Sequence, residues 1–170
     1  MTQENPYAPP KAEVQDVSAD SKETKLASRG LRLGGAILDA IIQAIVAGIV
    51  MAVIGFWDIV VGGGTSELRI VLQSAIIGIA SFLLLNGYLL AKRGQTIGKV
   101  LVGTRIVSAE TGELLPLGKL VGLRYIPIWI VGLIPGVGIA LTILDALFIF
   151  RDDRRCIHDL IAGTKVITTA

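Results

Sequence analysis

Cysteine and histidine each occur only once in this chain of 170 residues, as Cys156 and His158. A single cysteine excludes an internal disulfide and a cysteine-based zinc site. A single histidine excludes a metal centre built from several histidines. The net charge of +2 is too small to indicate a polyanionic partner, so no nucleic acid is expected. We predict no metal and no cofactor, and we expect no enzyme because no nucleophile with an oriented base can be found.

Charge is missing from long stretches of the chain. Residues 33–91 contain four charged side chains in 59 positions, and residues 125–150 contain one, Asp145. A soluble domain mixes charged and apolar residues along each amphipathic element. The separation into blocks therefore argues against a soluble enzyme domain and predicts an all-α integral membrane protein.

The apolar blocks predict the helices. Residues 33–57 and 70–91 each exceed the roughly 20 residues that a helix needs to cross a hydrocarbon core. A glycine-rich turn is expected between them, over residues 58–67. The third apolar region is interrupted by a strong turn signal at 134–138, so it is either one span or a hairpin of two shorter helices, at about 117–134 and 137–150.

The positions of the basic residues favour the hairpin. Basic residues concentrate on the cytoplasmic side of membrane proteins. With four helical segments, 15 of the 16 lysines and arginines lie on that side, whereas a single third span would place the four C-terminal ones outside. We therefore predict a bundle of four helical segments in the plasma membrane, with three spans as the alternative. Residues 1–26 form a disordered cytoplasmic tail in this prediction, and residues 27–168 form the membrane domain.

Two segments resemble each other at a fixed offset of 60 residues, 94–107 and 154–167. Each contains a Gly-Thr pair followed by a basic residue and two β-branched aliphatic residues. The similarity predicts an internal repeat. Residues 100–108 and 164–169 have the composition of strands, and residues 110–113 that of a hairpin turn. We expect the two segments to meet as a small β-structure on the cytoplasmic side.

Few polar side chains lie inside the apolar blocks. A carboxylate near the centre of a membrane helix costs about 2.5–3.5 kcal/mol and often marks a functional site. Asp39 and Asp145 would both lie roughly 8–10 Å from the cytoplasmic interface at 1.5 Å per residue. Arg32 is expected at the headgroups or paired with an acid on another helix. The predicted polar layer consists of Arg32, Asp39, Gln43, Asn86 and Asp145, and it is either an ion or proton site or a structural contact between helices.

The cytoplasmic segments carry a second set of candidate residues. The sequence at 94–99 resembles a phosphate-binding loop, but the spacing is one residue short and Val100 replaces the required Ser or Thr. Lys99 aligns with Asp159 at the repeat offset, so we expect an ion pair between them. The cytoplasmic motif residues are Gly94, Thr96, Gly98, Lys99, Gly103, Thr104, Arg155, His158, Asp159, Gly163 and Thr164.

Taken together, these motifs resemble the RDD family of membrane proteins. The resemblance rests on residues 32–39, 94–107, 155–159 and 162–166 and on Asp145, and it covers about 27–168. The family name records one arginine and two aspartates, which correspond here to Arg32, Asp39 and Asp145. The resemblance implies membrane segments, usually described as three. It also implies an activity that is largely unassigned, with transport of ions or small solutes as the usual suggestion.

Two functions follow as hypotheses. In the first, Asp39 and Asp145 bind a cation or proton in a pathway formed by a homo-oligomer. In the second, the chain is a non-catalytic membrane adaptor. Its polar residues would then be structural, and its β-segments and tail would bind a cytoplasmic protein partner. The lipid bilayer is the expected environment in both.

Overall fold

The computed structural model describes residues 25–63, 66–134 and 136–169. It is mostly helical and contains a small antiparallel sheet of two strands. Two helices in the described part of the chain are long and apolar enough to cross a membrane, α1 (Arg29–Val53) and α3 (Glu67–Arg93). They correspond to the first two predicted helices, which are thereby confirmed as helices. Most of the predicted tail lies outside the described residues.

A short helix, α2 (Phe56–Val61), follows α1. Gly55, with φ of 68°, breaks the helix after α1, and the chain turns helical again at Phe56. The predicted turn therefore begins too early, because residues 58–61 are helical. The second long helix ends at Gly94, whose φ of 64° is the left-handed conformation expected at a helix C-terminus.

The third apolar region forms two helical stretches. The first comprises α5 (Leu117–Leu120), a π-helical turn (Val121–Tyr125) and α6 (Ile126–Gly132). The second comprises α7 (Gly138–Leu147) and a 3₁₀ turn (Phe148–Phe150), and it contacts α6. The interruption lies where the sequence predicts it. Both stretches are shorter than the roughly 20 residues of a helix that crosses a bilayer on its own.

The two strands pair with each other, as expected. Strand β1 (Thr104–Ser108) runs antiparallel to β2 (Thr164–Thr168). The strand prediction over residues 100–108 was wrong at its start, because Val100 and Leu101 belong to a short helix, α4 (Ile97–Leu101). The predicted hairpin at residues 110–113 was also wrong. The chain does turn there, but the partner of β1 is β2.

A short helix and a glycine precede each strand. Helix α4 leads through Gly103, with φ of 67°, into β1. Helix α8 (Ile157–Ala162) leads through Gly163, with φ of 63°, into β2. The first residues of the two helices, and those of the two strands, are 60 positions apart. The sheet thus brings two similar helix–glycine–strand segments side by side.

The buried core lies at the sheet and at the adjacent helix ends. Ile106 and Val166 pack with Leu90, Leu120 and Ala27. By contrast, the long helices expose apolar side chains along their length. On α1 these recur every fourth residue, as Leu33, Ile37, Ile41, Ile45 and Ile49. Such an uncovered apolar stripe is typical of a helix that faces lipid.

Candidate functional site

Asp39, in the middle of the apolar sequence of α1, binds the N-terminus of α4. Its Oδ1 accepts the backbone N–H of Gly98 at 2.7 Å, and its Oδ2 accepts the hydroxyl of Thr96. Lys99 Nζ lies 3.7 Å from the same Oδ2. A helix N-terminus carries partial positive charge and free N–H groups, so a carboxylate there is stabilised.

The packing of α1 on α4 depends on glycine. A Cβ added to Gly98 would overlap the carbonyl oxygen of Gly35 and the carboxyl group of Asp39. The other long helix also holds α4, because Asn86 Oδ1 accepts the backbone N–H of Ile97 at 2.9 Å. Side chains from α1 and α3 therefore share the first N–H groups of one short helix.

Asp145, on α7, binds the N-terminus of α8 in the same way. Its Oδ1 accepts the backbone N–H of His158 at 2.9 Å, and its Oδ2 lies 2.6 Å from His158 Nδ1. Gly98 and His158 are each the second residue of their helix. The carboxylates of Asp39 and Asp145 thus make equivalent contacts, because each accepts a backbone N–H at the start of one helix–glycine–strand segment.

Asp159 is fully buried and is the centre of an ionic cluster. Arg32 binds its Oδ2 and Arg124 binds its Oδ1, while the Thr164 hydroxyl donates to Oδ1 at 3.0 Å. Burial by itself opposes ionisation of Asp159, but the charges of Arg124, His158 and Arg32 outweigh it and lower the pKa of this carboxyl group. Of the two alternatives for Arg32, the structure contains the ion pair. The expected pair between Lys99 and Asp159 was wrong, because Lys99 lies beside Asp39.

The predicted polar layer is divided into separate contacts. Asp39 and Asn86 meet at α4, whereas Asp145 is at α8. Gln43 takes no part in either, and its Nε2 donates to Ser81 Oγ at 2.7 Å and to the carbonyl of Gly78 at 3.0 Å on α3. Gln43 therefore connects the two long helices one turn further along α1 than Asp39.

A cavity of about 290 Å³ lies between these contacts. We call it the polar chamber. Its polar lining residues are Arg32, Asp39, Thr96, Lys99, Arg124, Tyr125, Thr142, Asp145, Cys156 and His158. Three of them are cationic and two are carboxylates. The π-helical turn contributes Arg124 and Tyr125, and π-helical turns often occur at functional sites.

Burial changes the acid–base behaviour of the chamber. It lowers the pKa of Lys99 to about 8, with the positive charge of Arg124 as the next cause. It also lowers the pKa of His158, again aided by Arg124 and opposed by the hydrogen bond with Asp145. Burial raises the pKa of Cys156 to about 11. At neutral pH, Cys156 is therefore a thiol.

Three side chains of the chamber have the spacing of metal ligands. Asp145, Cys156 and His158 place one ligand atom each within 4.8 Å of one another. The sequence predicted no metal site, because that prediction considered only sites built from several histidines or several cysteines. Arg32 Nη2, at 3.6 Å from Cys156 Sγ, adds positive charge to the same place, which opposes the binding of a cation.

The remaining motif residues form the junction between helices and sheet. Gly94 accepts the backbone N–H of Ile106 at 2.8 Å, and an added Cβ would overlap the Ile106 carbonyl oxygen. Thr104 is fully buried, and Arg155 Nε donates to the carbonyl of Thr164 at 2.9 Å. Gly103 and Gly163 provide the left-handed residues before the strands.

Sequence reasoning omitted some residues that shape the site. Arg124 is the most important, and the sequence signal that could have identified it is the Gly-Leu-Arg triplet that residues 122–124 share with residues 30–32. Arg29 donates to the carbonyls of Ile149 and Phe150 at 3.3 and 3.2 Å. No motif signalled that contact, because any carbonyl can accept it.

A model of the RDD family matches residues 26–163, which is most of the chain. The chain belongs to the RDD family. The resemblance found in the sequence is thereby confirmed. In this RDD protein, Arg32, Asp39 and Asp145, which the resemblance in the sequence matches to the family name, bind Asp159, the α4 N-terminus and the α8 N-terminus respectively.

This RDD protein also resembles an uncharacterized protein of Haemophilus influenzae. The two are 30% identical over 94 residues, which are 55% of this chain and 58% of the relative. The match thus covers less than two thirds of the relative. No solved structure matches the chain.

Proposed function

We propose that this RDD protein is a multi-pass plasma-membrane protein that moves a proton, a cation or a small solute through the polar chamber. The observation that carries the proposal is the pair formed by Asp145 and His158, at 2.6 Å, in the chamber wall. An imidazole is the side chain whose protonation changes most readily near neutral pH. Its second nitrogen, Nε2, lies 3.8 Å from Asp159, beyond hydrogen-bond distance, and is available to a proton.

Asp39 has a structural role in this proposal. Both of its oxygens accept hydrogen bonds from the start of α4, and Lys99 lies nearby. Asp145 also accepts a backbone N–H through its Oδ1, but its Oδ2 contacts an imidazole, which can take up and release a proton, whereas the hydroxyl beside Asp39 cannot. The transport hypothesis is therefore narrowed from two aspartates to the Asp145–His158 pair.

The sheet supports an even number of crossings. Leu26 precedes α1, β1 follows α3, and β2 follows the α7 region, yet Leu26 and β1 both pair with β2. Segments that hydrogen-bond to one another lie on one side of a membrane. We propose that α1 and α3 cross the membrane and that residues 117–150 enter and return as a hairpin. Both ends then lie on one side, which we propose is the cytoplasmic side because the basic residues concentrate there. In this proposal an internal repeat accounts for the two helix–glycine–strand segments.

Transport by so small a bundle would require a homo-oligomer, because one chain offers few helices to enclose a pathway. The adaptor hypothesis differs in expecting no flux. It assigns the chamber a purely structural role and places function at the cytoplasmic surface.

Reconstitution into liposomes tests the proposal. We expect a pH-sensitive dye inside the vesicles to report proton movement down an imposed gradient. Asp145→Asn and His158→Gln should reduce the movement to that of empty liposomes. Asp58→Asn, at an exposed position on α2, is the matched control and should keep it.

Two results would overturn transport. One is a folded wild-type protein that passes no protons, sodium or potassium under any gradient, which would favour the adaptor. The other is unchanged flux in both chamber variants, which would remove the pair from the pathway.

A further inference from the structure

Two donors in the polar chamber are poorly matched by acceptors. The ammonium group of Lys99 has three N–H donors, and its polar contacts among the described residues are long, with Thr96 Oγ1 at 3.5 Å and Asp39 Oδ2 at 3.7 Å. Charge-assisted N–H···O bonds are normally about 2.7–2.9 Å long. The hydroxyl oxygen of Tyr125 is buried and has no hydrogen-bond partner among the described residues. Leaving such a group unpaired is unfavourable.

The acidic residues of the chamber do not supply close acceptors for the Lys99 ammonium and the Tyr125 hydroxyl. The oxygens of Asp39 accept from Thr96 and Gly98, and those of Asp145 accept from His158. Their negative charge is therefore directed at the two helix N-termini. The chamber retains unsatisfied donors and favours a ligand that brings an anionic oxygen acceptor.

An apolar groove of about 650 Å³ adjoins the chamber. It lies between α3 and α6, and Ile79, Trp129 and Leu133 are among its lining residues. Phe82 and Ile128 line both the groove and the chamber, so the two spaces are neighbours. The volumes, about 290 and 650 Å³, are of the size of small-molecule sites, roughly 300–1,000 Å³.

The direction of the groove matches that of a lipid. Thr96 and Lys99, which follow the C-terminal end of α3, line the chamber, and Lys92 and Arg93 at that end mark the interface. From Phe82 the groove extends along α3 to Ala75, which is about 10 Å at 1.5 Å per residue, away from that interface. A lipid has the same layout, with its charged group at the interface and its chain pointing inwards.

From these features we infer that the chamber and the groove form one binding site for an anionic phospholipid. Its phosphate lies against Lys99 and the Tyr125 hydroxyl, and one acyl chain lies in the groove beside Trp129. The inference is independent of transport, and the flux experiment above does not decide it.

Tryptophan fluorescence tests this site, because the chain has only two tryptophans, Trp57 and Trp129. A Trp57→Phe variant of the full chain leaves Trp129 as the reporter. The variant is placed in two kinds of phosphatidylcholine nanodisc. One contains a small fraction of phosphatidylglycerol with brominated acyl chains, and the other contains the same fraction of phosphatidylcholine with brominated acyl chains. Bromine quenches tryptophan at short range, so we expect stronger quenching by the brominated phosphatidylglycerol.

The variants separate a built site from general attraction of anionic lipid. Lys99→Gln should remove the preference for phosphatidylglycerol, and Tyr125→Phe should weaken it. Lys119→Gln, at an exposed position outside the chamber, should keep it. If Lys99→Gln does not give a folded protein, the Tyr125→Phe and Lys119→Gln pair carries the comparison.

Three outcomes would overturn the inference. Equal quenching by the two brominated lipids would show that Trp129 contacts bulk lipid without selecting phosphatidylglycerol. Equal loss of preference in Lys99→Gln and Lys119→Gln would show general surface attraction. Loss of the preference on adding glycerol 3-phosphate or inorganic phosphate, at constant ionic strength, would show a site for a free phosphate compound instead.

Discussion

The carboxylate of Asp39 accepts the backbone N–H of Gly98 at 2.7 Å, so an acid in the apolar part of one long helix holds the start of a short helix 59 residues later. Asp145 does the same for His158. The cost of an acid inside an apolar helix is offset here by the positive end of another helix. These two aspartates therefore attach the helix–glycine–strand segments to α1 and α7.

Replacing Asp39 by asparagine should destabilise the protein. The amide nitrogen of asparagine cannot accept the Thr96 hydroxyl, and the charge at the α4 N-terminus disappears. The expected loss is about 1–3 kcal/mol, read as a lower unfolding temperature in detergent. Asp58→Asn is the control and should leave the temperature unchanged. Equal temperatures for both variants would contradict the structural role of Asp39.

Gly98→Ala should separate α1 from α4. The added methyl group would overlap the Gly35 carbonyl, and backbone atoms cannot move aside without shifting a helix. We expect a loss of about 1–3 kcal/mol in unfolding free energy. Gly118→Ala, in α5, meets no atom within 4 Å and should be neutral or slightly stabilising. If Gly98→Ala unfolds at the wild-type temperature, the helices are not packed this closely.

Asp159→Asn should be the most damaging single change. It leaves Arg32 and Arg124 buried without their counter-charge, which typically costs about 3–5 kcal/mol. Asp153→Asn, which removes a half-buried partner of the exposed Arg151, should cost about 0–1 kcal/mol. The ratio of folded to aggregated protein after extraction measures both. Similar yields for the two variants would show that the cluster contributes little.

The sequence predicts those parts of the structure that depend on the length of an apolar block or on a repeated motif. Apolar block length gave the two long helices, and the offset of 60 residues led to the pairing of β1 with β2. The Asp159 cluster was not predictable, because its arginine partners are 35 and 127 residues away. The contacts of Asp39 and Asp145 were hidden for another reason. Their partners include backbone N–H groups, which every residue except proline carries.

The membrane sidedness of the sheet can be tested with single cysteines in a Cys156→Ser background. Glu110→Cys, after β1, and Thr169→Cys, after β2, are both exposed positions. We expect a membrane-impermeant maleimide to label both only from the cytoplasmic side, because their strands pair. Glu67→Cys, at the start of α3, is the control for the opposite side. Labelling of Thr169→Cys from outside intact cells would contradict the proposal that residues 117–150 form a hairpin in the membrane.

Stability should depend on pH through Lys99. Its pKa is about 8 in the folded protein and 10.5 ordinarily, because burial and Arg124 disfavour the charged form. Between these two values the unfolded chain binds more protons than the folded one, so the free energy of unfolding should rise with pH from about 8 to about 10.5. Below pH 8 both states are protonated and this contribution stops changing.

The measurement is denaturant unfolding of the wild type and Lys99→Gln at several pH values in that range. The difference between their unfolding free energies isolates Lys99 from the other groups that titrate there. We expect the wild type to gain stability relative to the variant as pH rises. Parallel curves would contradict a lowered pKa. A gain that shifts to higher pH in anionic lipid would show that a bound phosphate stabilises the ammonium form, because a nearby negative charge raises the pKa of a lysine.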